Sequence, residues 1–165
     1  MSMARRTPAG LAVTELVLEV FRLNGRLLVT GDRLVSRLGL TSARWQVLGA
    51  VALAERAEPV AWLARSMGLN RQGVQRIVNE LVAEGYVALE PNPHHRRASL
   101  VVLTAKGRTA FAAADRLQTP WVNALAKGFG ADDIAAAKRT VAALRERLEQ
   151  AAPGSDAPSV SRMKR

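Results

Sequence analysis

The sequence predicts a mainly α-helical fold of the α+β type, a winged helix-turn-helix with further helices at both ends. Three observations predict it. Residues 60–84 carry two short helical patterns across a tight turn, and residues 86–103 carry two strand-like runs around a basic loop. Long amphipathic patterns occupy both termini. With 165 residues and 48% hydrophobic content, the chain can bury one sizeable core.

The boundaries of the two central helices are marked by cap residues. The first pattern, residues 60–67, stops at Gly68, a residue that adopts the left-handed conformation at little cost. Asn70 can cap a second helix, which we expect to run from Arg71 to Glu84. Gly85 then suits its termination.

The second helix is predicted to have one apolar and one polar face. Its apolar face carries Val74, Ile77, Val78 and Leu81, and the opposite face carries Gln72, Arg76 and Asn79, with Gln75 beside them. Glutamine and asparagine can pair with adenine, and arginine can pair with guanine. An ordinary solvated face, the alternative interpretation, would be expected to carry more glutamate and lysine. We therefore predict a surface that reads DNA bases.

The two strand-like runs, residues 86–90 and 100–103, flank a turn-rich basic segment, residues 91–97. This segment is the candidate wing, and its candidate DNA contacts are His94, His95, Arg96 and Arg97. Two adjacent histidines could also bind a metal ion, but a metal site needs more ligands that converge on one point. We favour a solvated pair close to DNA.

These residues resemble the multiple-antibiotic-resistance regulator (MarR) family of bacterial winged-helix transcription factors. The resemblance covers most of the chain. It rests on the motifs Leu40–Leu48, Leu63-Ala64 with Gly68–Gln72, Leu81–Gly85, and Arg97 leading into Val102–Gly107. In one departure, His95 stands where the family usually has an acidic residue two positions before the wing arginine. Arg97 therefore lacks the usual acidic partner.

The resemblance implies a homodimeric transcription regulator, a ligand-responsive repressor that binds a pseudo-palindromic operator in double-stranded DNA. Gln72, Gln75 and Arg76 would enter the major groove, with Asn79 a weaker candidate. Arg71 and Lys106 would contact phosphates, and Arg97 would reach the minor groove.

The resemblance also implies a small aromatic or phenolic effector, bound between the dimer helices and the DNA-reading domain. The candidate residues for this pocket are Arg22, Arg26, Arg44 and Trp45, of which the arginines would meet an anionic effector.

Both terminal helices carry apolar stripes, which could pack within one chain or against a second copy. Two such helices cannot both cover one small winged domain, so together with the resemblance they indicate a homodimer. The candidate interface residues are Leu16, Val20, Ile134, Val141, Leu144 and Leu148.

The predicted domain organisation has five parts. They are a flexible basic N-terminus (residues 1–8), a dimerisation helix (9–38), the winged helix-turn-helix (39–107), a linker helix with C-terminal dimerisation helices (108–151) and a disordered basic tail (152–165). Thr104 is expected to cap a helix over residues 105–127, and Pro120 to kink it.

Charge and composition narrow the function further. The chain has 24 basic and 14 acidic residues, a net charge of +10 that suits a polyanionic partner. It contains no cysteine, which excludes disulfides and cysteine-based sensing. Neither a signal peptide nor a membrane-spanning run is predicted, so we expect a cytoplasmic protein.

The sequence carries no catalytic, phosphate-binding or zinc-protease motif, and we expect neither enzymatic activity nor a cofactor nor a metal. Two alternatives remain open at this stage. One is an architectural protein that binds DNA with little sequence preference, and the other is a winged domain used only for protein contacts.

Overall fold

The computed structural model of the protein describes residues 6–151 and confirms the predicted fold class. Residues 1–5 and the predicted basic tail, residues 152–165, lie outside the described part. The elements in chain order are α1 (Pro8–Val35), a 3-10 turn (Ser36–Leu38), α2 (Ser42–Leu53), β1 (Glu58–Pro59), α3 (Val60–Ser66), α4 (Arg71–Ala83), β2 (Val87–Glu90), β3 (Leu100–Leu103), α5 (Ala105–Leu125) and α6 (Ala131–Ala151).

Side-chain caps define where the helices begin. The Oγ1 of Thr7 accepts a hydrogen bond from the Gly10 amide at 3.1 Å, and α1 starts at Pro8, earlier than the predicted apolar stripe. Asn70 caps α4 as predicted, since its Oδ1 accepts from the Gln72 amide at 2.8 Å. Thr104 caps α5 in the same way, accepting from the Gly107 amide at 3.0 Å.

The wing is a three-stranded antiparallel sheet with β3 at its centre. β2 pairs with β3 from Val87 opposite Leu103 to Glu90 opposite Leu100, which matches the predicted hairpin. On its other side, β3 pairs with β1, a strand of two residues that the sequence did not predict. Two residues carry no alternating pattern, so only the pairing with β3 defines this strand.

The hydrophobic core lies beneath the apolar face of α4. Val74, Val78 and Leu81 are at most 1% exposed, and they pack in one cluster with buried residues of α2, α3 and the sheet. The Tyr86 hydroxyl donates a hydrogen bond to the Leu38 carbonyl at 3.3 Å and so joins the end of α4 to the start of the winged domain.

The described chain divides into two compact units between Val122 and Asn123, close to the C-terminal end of α5. The first unit contains α1, the winged domain and most of α5. The second contains the end of α5 and α6, a helix in which no residue is buried. Pro120 lies inside α5, which continues to Leu125. Within residues 6–151, none of the helices combines the length and the apolar character needed to cross a bilayer.

The contact between α5 and the end of α4 gives a prediction for stability. A Cβ on Gly107 would lie 1.9 Å from the backbone oxygen of Tyr86. We expect Gly107→Ala to lower the free energy of unfolding by about 3 kcal/mol, because the backbone of both segments must move apart. Urea denaturation measures this change.

Gly73→Ala is the matched control, since a Cβ on Gly73 in α4 meets nothing within 4 Å. This substitution should stabilise the helix by about 0.5–1 kcal/mol. Equal unfolding free energies for the two variants would show that α5 does not approach the Tyr86 backbone this closely.

Candidate nucleic-acid interface

The outward face of α4 gathers the predicted base-reading residues at one place. The side chains of Arg71, Gln72, Gln75, Arg76 and Asn79 line one shallow concavity of about 540 Å³. Gln75 is half-buried and the other four are exposed. The apolar face of the same helix is buried, so rotation of α4 about its axis is fixed and these five side chains must point outward.

Neighbouring side chains on this face contact each other along the helix. The Gln75 amide nitrogen donates to the Asn79 amide oxygen at 2.9 Å, and Arg76 Nη1 lies 3.5 Å from Glu80 Oε1. Both pairs have i, i+4 spacing. Arg76 nevertheless remains 76% exposed, so its guanidinium is accessible to a ligand.

The wing loop is ordered by an asparagine rather than by an acid-to-arginine pair. Asn92 Oδ1 accepts hydrogen bonds from the backbone amides of His94, at 3.0 Å, and His95, at 3.2 Å. The Ala98 amide then donates to the His95 carbonyl at 2.9 Å. Arg97 is exposed and forms no ion pair within residues 6–151, in keeping with the missing acidic partner.

A recess of about 170 Å³ joins the wing to the start of α4. Arg71 and Gln75 line it from the helix, and Arg97 and Ser99 line it from the wing. The arginine side chains of the helix and the wing therefore share one concave surface beside the face that carries the predicted base contacts. A phosphate chain or groove edge would meet positive charge from both elements.

The two histidines of the wing face a different recess. His94 and His95 line a cavity of about 450 Å³ together with Arg56, Glu58 and the half-exposed Trp62. Within the part of the chain that the structure describes, no group of three or more histidine or acidic side chains is arranged to hold a metal ion. Arg96 is exposed at the wing tip.

Lys106, which is predicted to contact a phosphate, contacts the C-terminal end of α4 and Tyr86 in the free chain. Its Nζ donates to the backbone carbonyl of Glu84 at 2.7 Å and lies 4.2 Å from the centre of the Tyr86 ring. A cation here stabilises the C-terminal end of α4, the end away from Arg71. Lys106 therefore caps α4 in the free chain, and its contact with a phosphate stays a prediction.

A larger cavity of about 720 Å³ lies within the first unit, between α1, α2 and α5. Its apolar lining includes Trp45, Phe111 and Trp121, and its polar lining is Ser42, Gln46, Gln118 and Asp115. Asp115 is the one charged residue among the lining side chains. An aromatic wall with a few polar groups is typical of small-molecule sites.

The arginines predicted for an effector pocket do not line this cavity, and only Trp45 of that set does. Arg22 pairs instead with Glu19 at 2.8 Å on the surface of α1, and Arg26 is exposed. Arg44 points to α4, where its guanidinium binds Glu80 and Glu84. Arg22 and Arg44 are therefore paired with carboxylates in the free chain, and the contact of these three arginines with an anionic effector stays a prediction.

The residues predicted for a dimer interface fall in both units. Val20 of α1 and Ile134, Val141 and Leu148 of α6 are between 36% and 73% exposed, while Leu16 and Leu144 are half-buried. Further large apolar side chains of α1, such as Leu11, Leu18 and Phe21, are also exposed. Apolar surface of this extent is unusual on a monomer and typical of an interaction face.

The central part of the chain is similar in sequence to known proteins. Residues 38–98 match the model of the MarR family. An uncharacterized protein of Mycobacterium tuberculosis is 46% identical over 96 residues, which cover 58% of this chain and 66% of that protein. The transcriptional activatory protein BadR of Rhodopseudomonas palustris is 37% identical over 81 residues, which cover 48% of this chain and 46% of BadR.

Solved structures agree with this relationship at the level of the fold. The transcriptional regulator MOSR of M. tuberculosis, solved in complex with DNA, superposes with a TM-score of 0.69 at 23% identity, over 81% of this chain and 96% of that one. The matched family model spans α2 to the wing, the part that contains the candidate interface. Residues 38–98 therefore match the MarR family of transcription regulators, and the described chain shares the fold of MarR-family structures.

Proposed function

We propose that the protein is a homodimeric, sequence-specific DNA-binding regulator that recognises two inverted half-sites and responds to a small ligand. The observation that carries this proposal is the concave face of α4, where five side chains suited to bases and phosphates lie beside Arg97 of the wing. Gln72, Gln75 and Arg76 would contact base edges, Asn79 would assist, Arg71 would bind phosphate and Arg97 would enter the minor groove.

The family and the charge support a DNA partner over a protein partner. MOSR, which shares the fold, was solved in complex with DNA, and the net charge of +10 suits a polyanion. Repression through blocking of the promoter is the mode that we propose. BadR is named an activatory protein, which favours activation as the second candidate.

A homodimer is supported by the exposed apolar stripes of α1 and α6. Burying them against a second copy would remove apolar surface from water, and two heads related by a twofold axis would match an inverted repeat. In such an arrangement, one half-site would lie about 10 base pairs from the other.

The DNA-binding roles can be tested with two variants of different expected behaviour. Gln72→Ala should relax base choice at one or two positions, by about 1–3 kcal/mol, because a bidentate contact to a base is lost. Arg97→Ala should keep the consensus but reduce the slope of log K against log salt by about 2, since each head of the dimer loses one cationic contact in the minor groove that neutralises phosphate charge. Selection of bound sequences from random DNA measures the first effect, and salt titrations of binding measure the second.

The two variants serve as controls for each other. Salt-dependent binding without a consensus, in the wild type and in Gln72→Ala alike, would favour the architectural alternative. No binding to DNA even at low salt would favour the protein-interaction alternative.

A substitution on the apolar stripe of α6 can test the proposed dimer. Leu148 is 73% exposed in the single chain, so Leu148→Asp should leave the fold intact. If a second copy covers this residue, the aspartate buries an unpaired charge and should raise the dissociation constant of the dimer by about tenfold or more. Analytical ultracentrifugation at micromolar concentration measures the dissociation constant.

Ala143→Asp provides the matched control, because Ala143 is exposed on the face of α6 opposite the apolar stripe. It should leave the dimer unchanged. Equal dissociation constants for both variants would mean that the interface lies elsewhere.

The cavity of the first unit supports a change in the expected effector. With two tryptophans, a phenylalanine and a single carboxylate in its lining, it favours an aromatic molecule that is neutral or cationic over an anion. Arg44, the cation that an anionic effector would require from α2, is held by carboxylates of α4.

Two probes of the same shape and opposite charge test this ligand class. We expect 2-naphthylmethylammonium to bind more tightly than 2-naphthoate, with quenching of tryptophan fluorescence. Asp115→Asn should remove the preference, which we expect to be up to about fivefold for a partly exposed ion pair. Glu55→Gln, which changes an acid outside the cavity lining, should retain it. Tighter binding of the naphthoate would contradict the proposed ligand class.

A further inference from the structure

Arg44 connects α2 to the helix that carries the proposed base-reading face. Its Nε lies 3.3 Å from Glu80 Oε2, and its Nη1 donates to Glu84 Oε2 at 3.1 Å. Nη2 contacts the second oxygen of Glu84, so the Arg44–Glu84 contact is bidentate. The Arg44 side chain is only 17% exposed. Its hydrogen bonds to Glu84 raise the pKa of the Arg44 guanidinium, although burial acts in the opposite direction.

Glu80 divides its two carboxylate oxygens between two arginines. Oε2 contacts Arg44 on α2, and Oε1 lies 3.5 Å from Nη1 of Arg76 on α4 itself. Four charges of alternating sign are thus connected by pairwise contacts, in the order Glu84, Arg44, Glu80, Arg76. The last of them, Arg76, is 76% exposed and is a proposed contact to bases.

Glu80 lies where its carboxylate would weaken DNA binding, and Arg44 counteracts this effect. A carboxylate one turn from Arg76 competes with DNA for its guanidinium, because i, i+4 pairs of opposite charge attract each other along a helix. The same carboxylate would also repel nearby phosphates. Arg44 engages one oxygen of Glu80 and supplies a compensating positive charge, which leaves only a longer, single contact to Arg76.

We propose that Arg44 is a positioning residue for DNA recognition, which holds Glu80 towards α2 and so keeps Arg76 available for the base edge. Arg44 itself does not touch DNA in this arrangement. Without Arg44, Glu80 turns to Arg76 with both oxygens and withdraws it from the DNA. The inference rests on the proposed function, since it concerns how strongly one of the proposed base contacts can act.

A purely structural role for Arg44 makes a different prediction. In that case, loss of the α2–α4 contact would lower stability and overall affinity, and removal of a second partner of the network would make both worse. If Arg44 restrains Glu80, the loss of Arg44 weakens base discrimination by Arg76. Neutralising Glu80 must then restore that discrimination. The double variant therefore separates the two roles.

The experiment compares wild type, Arg44→Gln, Arg44→Gln with Glu80→Gln, and Arg44→Gln with Glu84→Gln as the matched control. Bound sequences are selected from random DNA, and Arg76→Ala identifies the base position that Arg76 reads. We expect Arg44→Gln to reduce discrimination at that position by about fivefold or more, within the range of one bidentate contact, with other positions unchanged. Adding Glu80→Gln should restore it, and adding Glu84→Gln should not, because Glu84 is not paired with Arg76.

Circular dichroism establishes that each variant is folded. If Arg44→Gln does not fold, Arg44→Lys replaces it, since an ammonium lacks the planar fork with which arginine holds both carboxylates, and the same rescue by Glu80→Gln is expected. Unchanged discrimination in the folded variant, or a loss that Glu80→Gln does not restore, overturns the inference while leaving the proposed function in place. A wild-type protein that selects no consensus overturns the proposed function, and the inference with it.

Discussion

The orientation of α4 is the constraint on which the proposed DNA-reading surface depends. Val74, Val78 and Leu81 are almost fully buried on one side of the helix, and no other rotation would bury all three. The polar side chains opposite them must therefore face solvent as a set. The surface that we propose to read DNA lies on the face of α4 opposite the hydrophobic core. The packing of the core therefore fixes the direction in which its side chains point.

The C-terminal end of α4 is where the helix, the wing and α5 are joined. Thr104 Oγ1 donates to the Gly85 carbonyl at 2.7 Å and also caps α5, while Lys106 caps α4 through the Glu84 carbonyl. Arg44 holds the side chain of Glu84 from the direction of α2. Movement of α2 would therefore act on the same end of the helix. Because α2 also lines the large cavity, a ligand there has a short physical path to α4.

Features that depend on local pattern could be predicted from the sequence, and features that depend on distant contacts could not. The apolar period and the Asn70 cap define α4, and the turn residues define the wing hairpin. In contrast, the partners of Arg44 lie 36 and 40 residues further along the chain, where no spacing rule connects them. The capping role of Lys106 depends on contacts with residues about twenty positions earlier in the chain. The residues that line the cavity could not be predicted for the same reason, since helical periodicity alone does not show which side of α2 meets α4.

We propose that two α4 helices, related by a twofold axis, read one DNA duplex. The most direct measurement is the affinity of the wild-type protein for its selected site before and after insertion of five base pairs between the half-sites. We expect an inverted repeat with half-sites about 10 base pairs apart, and a fall to nearly non-specific affinity after the insertion, because one half-site then faces the opposite side of the duplex. A consensus without symmetry, or an affinity that the insertion does not change, would contradict it.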